Sequence, residues 1–434
     1  MRIAGIIAEY NPFHNGHAWQ IAQLRRRGFD AVVCVCSPGV VQRGAPALLP
    51  TAVRTAAALA GGADLVLCLP APYAALSSEG FAAAGVRLLT ALGCADTLCF
   101  GVEAGTARDI AGLAALLEGP AFAPALREAL NAGLPLPAAR AAAAERLCPG
   151  AGTLLRAGNT LLGVDYCRAI LRQKSGLVPL ALPRRGAAHN APLSAPAGAF
   201  SGAQGAPEGT PAEKPFSASS GAPDLPDACD APQKEYASAS ALRALAGQKG
   251  AAALAPYVPA ACLALYRQAE AEGAWLSEAA FSTAALSRLR MLSVPQLRTV
   301  RGAAEGLEHR LAAAVQRAGT WQELIEAMKT KRYATARLRR FALDAALGYT
   351  AALPALPPYL HILGAGEAGR TVLHTAKRTA GLPLSHSLAR LAETGSEAAA
   401  VAAAHAAAED FAALCLRRPA PMGTAYTAKA QFVR

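Results

Sequence analysis

Glu9-Tyr10-Asn11-Pro12-Phe13-His14-Asn15-Gly16-His17, EYNPFHNGH, stands between an apolar run at residues 2–8 and a helix-like run at residues 14–27. A short apolar run that stops at an Asn-Pro turn reads as a buried strand, and the H-x-G-H pattern then opens the first helix. Side chains three apart share one helical face, so His14 and His17 point the same way. Gly16 removes a side chain that would hold a phosphate away from the backbone. The first amides of the helix and the positive end of its dipole meet at that spot, which makes it an anion site. Two imidazoles there can donate hydrogen bonds to charge growing on a phosphate. Histidines that cap the helix or bind zinc are the plainer alternative. No third ligand stands nearby in the sequence, and the spacing is not that of H-E-x-x-H.

Outward from this segment, strand-like and helix-like runs alternate. AVVCVC (31–36), ADLVLCLP (63–70), a strand at 97–100 and another at 177–182 are separated by helices at 51–60, 78–92 and 160–172. Residues 42–46 read as a loop. The alternation predicts an α/β fold, a Rossmann-like parallel sheet with right-handed crossovers. Residues 186–234 are rich in Ala, Gly, Pro and Ser without periodicity and read as a low-complexity insertion. Beyond residue 250 the chain reads as mainly α-helical and more basic. Two domains are therefore expected, 1–250 for nucleotide binding and 251–434 as a helical, RNA-binding part. The run HILGAGEAGR (361–370) carries Gly364-x-Gly366-x-x-Gly369. With no following βαβ unit, and no acid at ribose distance, it reads as a turn and helix start.

Composition narrows the partners. The net charge is +12 over 434 residues, carried mainly by arginine. A polyanion fits that balance, since each neutralised phosphate releases counterions; a generally arginine-rich proteome explains it equally well. No run of about 18 charge-free apolar residues marks a membrane span, and the N-terminus lacks a signal-peptide pattern. A soluble, cytoplasmic chain without membrane partners is expected. The ten cysteines include no C-x-x-C pair and several sit in apolar strands, so no protein-held zinc is expected.

The H-x-G-H pattern after a first strand resembles the nucleotidyltransferase superfamily, in which it binds ATP phosphates. Further runs follow in order: VVQRGAPA (40–47), GADLVLCLP (62–70), SSEGFA (77–82), FGVEAG (100–105), NTLLGVDY (159–166), PRRG (183–186), ASASALR (237–243) and TKRYATARLRR (330–340). In this order and spacing they resemble the bacterial tRNA(Met) cytidine acetate ligases, over nearly the whole chain outside the insertion. The resemblance implies an enzyme that joins ATP and acetate as acetyl-adenylate, without acetyl-CoA. It then acetylates N4 of the wobble cytidine of elongator tRNA(Met).

Carried onto this sequence, the resemblance puts the ATP site at Ile7, Ala8, Glu9, Tyr10, Asn11, Pro12, Phe13, His14, Asn15, Gly16, His17, Ala18, Trp19 and Gln20. Gly101, Asn159, Arg184 and Arg185 complete it, His14 and His17 being the catalytic pair. A magnesium ion would accompany the phosphates. Glycine at the carboxyl end of a strand lets a nucleotide lie close, an asparagine offers donor and acceptor, and an arginine offers a planar fork. A helix N-cap would explain Asn159 as well, and a solvated charge Arg184. Ser240 and Arg243 are further phosphate contacts, although a plain N-cap explains the serine. Lys331, Arg332, Arg337 and Arg340, with Tyr333, form a basic aromatic stretch suited to RNA. Where the family carries Asp-Lys this chain has Pro50-Thr51, leaving Arg43 or Arg54 to replace the lysine's charge. Two rival functions stay open: a small-molecule adenylyl- or cytidylyltransferase, and a non-catalytic tRNA-binding protein with a worn nucleotide pocket.

Overall fold

The computed structural model describes residues 1–184, 235–330 and 332–433. The insertion expected at 186–234, Arg185 and Lys331 lie outside the described residues.

Six-residue apolar runs with no room for a solvated face build the centre of the sheet. β1 (Ile3–Ala8) pairs in parallel with β2 (Ala31–Cys36), every residue of which is buried. After β2, a small hairpin of β3 (Val40–Val41) and β4 (Ala45–Pro46) occupies the stretch read as a loop. β5 (Leu65–Cys68) joins β2, while β6 (Thr97–Val102) returns to the other side of β1 and β7 (Val178–Pro183) pairs with β6. The chain thus moves outward from β1 one way and then back past it. That places a topological switch between β1 and β6, where ligands bind in open sheets. Helices α1 (Asn15–Arg26), α2 (Thr51–Ala60), α3 (Ser78–Leu92) and α4 (Gly158–Arg172) cover the faces.

The later chain is mainly helical but not wholly so. It runs through α5 (Ala239–Lys249), α6 (Ala260–Ala271), α7 (Glu278–Arg290), α8 (Leu307–Val315), α9 (Trp321–Met328) and α10 (Thr335–Leu347). It then returns to the sheet. β8 (Leu360–Ala365) lies antiparallel to β5, with β9 (Leu384–Ser385) and β10 (Gln431–Phe432) parallel to β8. The sheet order is β10-β8-β5-β2-β1-β6-β7. Residues beyond 250 therefore supply three of its strands, and HILGAGEAGR is strand, turn and helix rather than turn and helix alone.

The glycines of that run serve packing. A Cβ at Gly369, in α11 (Glu367–Thr379), would lie 1.9 Å from the Asp64 carbonyl oxygen, and the Gly366 amide already donates to that oxygen at 2.8 Å. Because β8 is antiparallel, this helix mouth opens on the opposite edge of the sheet from the switch point. A last long helix, α12 (Ser396–Leu414), completes the cover. No single described helix is long and apolar enough to cross a membrane. Every described cysteine is a free thiol.

Candidate active site

At the switch point lies a cavity of ≈ 290 Å³. Its wall includes Ile7, Ala8, Glu9, Tyr10 and Asn11 after β1, His14, Gly16, His17, Trp19 and Gln20 on α1, and Gly101 on β6. Asn159, Arg184 and Arg243 complete the set expected from sequence. Pro12, Phe13, Asn15, Ala18 and Ser240 are not part of the wall. Phe13 is fully buried in the core, and the Asn15 amide donates to the Glu235 and Pro256 carbonyls at 3.1 and 2.9 Å. Ser240 accepts a hydrogen bond from Arg243 at 3.2 Å, and Arg243 also donates to the Asn11 carbonyl at 2.7 Å. Ser238, not Ser240, caps α5.

The two histidines form a stacked pair, ring centroids 3.7 Å apart and 21° from parallel. His14 is the N-cap of α1, and its Nδ1 accepts from the Gly16 amide at 3.1 Å; His17 Nδ1 accepts from the His14 amide at 3.2 Å. A neutral imidazole has one acceptor nitrogen, so this pattern puts the remaining proton of each ring on Nε2, the atom available for donation to a ligand. Burial, then Arg184 and Arg243, holds His14 down at about 3. Burial, then His14 and Arg184, holds His17 well below the usual imidazole range. Both rings are neutral donors at physiological pH.

The structure changes two local arguments. The first amides of α1 are not open to an anion. Asn15 donates to Tyr257, Gly16 to the His14 ring, and His17 and Ala18 to the His14 carbonyl. An anion entering here would meet the two rings and not the helix backbone. Gly16 is needed for the ring as well, since a Cβ there would meet His14 Cε1 at 2.9 Å.

On the facing wall, a Cβ at Gly101 would stand 3.1 Å from Arg184 Cγ, so the bare strand end gives that arginine its path. Glu103 organises the rest. Its carboxylate accepts from the backbone amides of Asn159 and Thr160, at 2.9 Å each, and from the Asn159 side-chain amide at 2.5 Å. It also lies 3.7 Å from Arg184. Asn159 is thus held by a carboxylate and is not the cap of α4, a position taken by Ala157.

Sequence reasoning named neither Glu103 nor Gln42, although both fall within runs quoted above. Gln42 lines the cavity, its backbone amide donates to Glu9 at 2.9 Å, and its side-chain nitrogen is buried without a partner. Tyr166, Phe81 and Leu162 add an apolar floor. Of the two candidate replacements for the missing lysine, Arg43 lines the cavity. Arg54 is buried and donates to the Leu49, Glu9 and Pro38 carbonyls, so its charge is spent within the fold.

The basic stretch is not one helix. Lys329 ends α9, Arg332 and Tyr333 lie in the connection, and Arg337 and Arg340 belong to α10. Arg337 and Arg332 stack on Tyr333 at 4.8 and 5.7 Å, and Arg332 pairs with Glu305 at 3.0 Å. Arg340 is half-buried, and the neighbouring Asp344 carboxylate is held by Arg301 at 2.8 and 2.6 Å. Beside Tyr333 opens a shallow cleft of ≈ 590 Å³ lined by His309, Arg310, Arg317 and Arg332.

Known proteins resemble this chain along almost its whole length. The profile of the HIGH nucleotidyl transferase family matches residues 1–204 and 227–420. A tRNA(Met) cytidine acetate ligase of Acetivibrio thermocellus is 31% identical over 397 residues, covering 88% of each chain. One of Latilactobacillus sakei is 35% identical over 400 residues, 88% of this chain and 87% of that one. The fold is that of Thermotoga maritima TmcAL, crystallised with alpha-thio ATP. The TM-score is 0.84 at 23% identity, over 100% of this chain and 99% of the other.

Proposed function

Because the chain belongs to the HIGH nucleotidyl transferase family, among the tRNA(Met) cytidine acetate ligases, we propose that it is an ATP-dependent ligase that acetylates the wobble cytidine of elongator tRNA(Met). The carrying observation is the stacked neutral histidine pair on a cavity at the β1/β6 switch.

An acetate oxygen attacks the α-phosphorus of ATP, and pyrophosphate leaves. The Nε2–H groups of His14 and His17 donate to oxygens that gain charge, while Arg184, Arg243 and Arg43 balance the phosphates. Burial lowers the Arg184 and Arg243 guanidinium pKa values, Arg243 to about 10, where it is still charged at neutral pH. Glu103 positions Arg184 and Asn159, and the open Gln42 amide is a donor for a substrate oxygen. Magnesium would be carried on the ATP phosphates, since Glu9 and Glu103 already accept from protein amides. N4 of the cytidine then attacks the acetyl carbonyl, the amide forms, and AMP departs with the bond electrons. No side chain is placed as a general base, and positioning supplies most of the second step. The cytidine must leave its stack to reach the cavity, which suits an anticodon loop. The exposed Arg332, with Arg337 and Tyr333 beside the shallow cleft, is an RNA contact.

Incubation with ATP, labelled acetate and tRNA should yield AMP and N4-acetylcytidine. Product made equally well from acetyl-CoA without ATP, or no product with any tRNA, would overturn the assignment.

A further inference from the structure

Away from the cavity, three metal-ligating side chains meet inside the fold. Cys68 ends β5, and His361 of β8 is its direct partner in the antiparallel register. His405 comes from the middle of α12, more than 300 residues along the chain from Cys68. All three are buried, and one ligand atom from each lies within 4.8 Å of the others. No step of the ligation uses them.

A second observation points to an occupant. His361 Nδ1 is buried without a hydrogen-bond partner, and so is the hydroxyl of Tyr359, two residues before it and just ahead of β8. Buried polar atoms are nearly always paired.

The donor set has a definite chemical preference. One thiolate and two imidazoles suit zinc and its borderline neighbours, and not magnesium or calcium. Zn–S and Zn–N bonds of about 2.3 and 2.0–2.1 Å put tetrahedral ligand atoms roughly 3.3–3.7 Å apart. The cluster must therefore tighten by about 1 Å at its widest, a movement within side-chain rotation. His405 Nδ1 now accepts the Ala71 amide at 3.3 Å, a long bond with which a metal at that nitrogen would compete.

We propose that Cys68, His361 and His405 form a zinc-class metal site that fastens β8 and α12 to the nucleotide-binding sheet, with water in the remaining position. Binding exchanges the thiol proton for a Zn–S bond, and the proton leaves to solvent. Cysteine spacing along the chain cannot reveal such a site, because its ligands come from three separate elements.

The test uses the full-length protein. After chelation, titration with Co²⁺ should produce a thiolate-to-cobalt charge-transfer band in the near ultraviolet, saturating at one ion per chain. Zn²⁺ should abolish that band and raise Tm by several degrees. Cys68→Ser should lose the band, and His405→Gln should weaken cobalt binding at least tenfold. Absence of a thiolate band in the wild-type protein overturns the proposal whatever the variants do. An undiminished band in Cys68→Ser also overturns it, by assigning the thiolate to another cysteine.

Discussion

His17→Ala isolates the contribution of one imidazole donor. In the folded protein the ring does three things. It lines the cavity, it stacks on His14 at 3.7 Å, and its Nδ1 accepts the His14 amide. Loss of the donor removes one preorganised hydrogen bond to charge developing at the phosphates, a contribution of about 2.7–4 kcal/mol, or roughly 10²–10³ in rate. Loss of the Nδ1 acceptor leaves a half-buried amide unpaired, at about 1–3 kcal/mol of stability. Single-turnover formation of acetyl-adenylate, followed by quench and chromatography, measures the first. Thermal unfolding of the same preparation measures the second. The expected result is a fall of two to three orders in the adenylation rate, with ATP affinity changed less than tenfold. The wild-type pH profile adds a check. Because both rings stay neutral far below 6.5, kcat/KM should show no histidine inflection between pH 5.5 and 8. Adenylation by His17→Ala at the wild-type rate, or a rate requiring an imidazolium that titrates near 6.5, would refute the donor argument.

Gly101→Val should leave Tm nearly unchanged, because the nearest atom is the flexible Arg184 side chain at 3.1 Å, but raise the Kd for ATP about ten- to hundredfold by displacing that charge-assisted contact; calorimetric titration reads it. Arg332→Ala should weaken tRNA binding with little effect on adenylation, lowering the slope of log K against log salt by about 1. Acid should destabilise the protein early. His14 has a folded pKa of about 3 against 6.5 unfolded, so the unfolded chain gains its proton first. Stability is then full above pH 6.5 and falls with pH by about 1.4 kcal/mol per unit down to about 3; denaturant melts across pH 7 to 4 measure it, and the slope should diminish in His14→Asn.

The central sheet is legible in the sequence because its strands are wholly apolar and spaced by helix-length runs. β8 is not. It arrives 292 residues after β5 ends, runs the other way, and leads into Gly366 and Gly369, which close on the Asp64 carbonyl. A pattern limited to neighbours in sequence registers the helix start and misses the partner strand. In the site, the residues after β1 are legible because one contiguous segment supplies them. Their chemistry is only half legible, since the tautomers and the occupied amides of α1 depend on Tyr257 and on ring geometry. Glu103 escapes notice because a carboxylate takes its role from its partners, here the amides of Asn159 and Thr160 and the charge of Arg184. Arg54 shows the converse, a charge that reads as part of the site and is taken up by backbone carbonyls inside the fold.

Asn15 sits on α1 between the two histidines. Its side chain holds the Glu235 and Pro256 carbonyls, and its backbone amide donates to the Tyr257 carbonyl. One residue of the helix that carries the reacting rings thus anchors the stretch leading into the later helices. The spacing between the ring pair and that stretch is set by a single side chain, and a disturbance on either side is passed to the other.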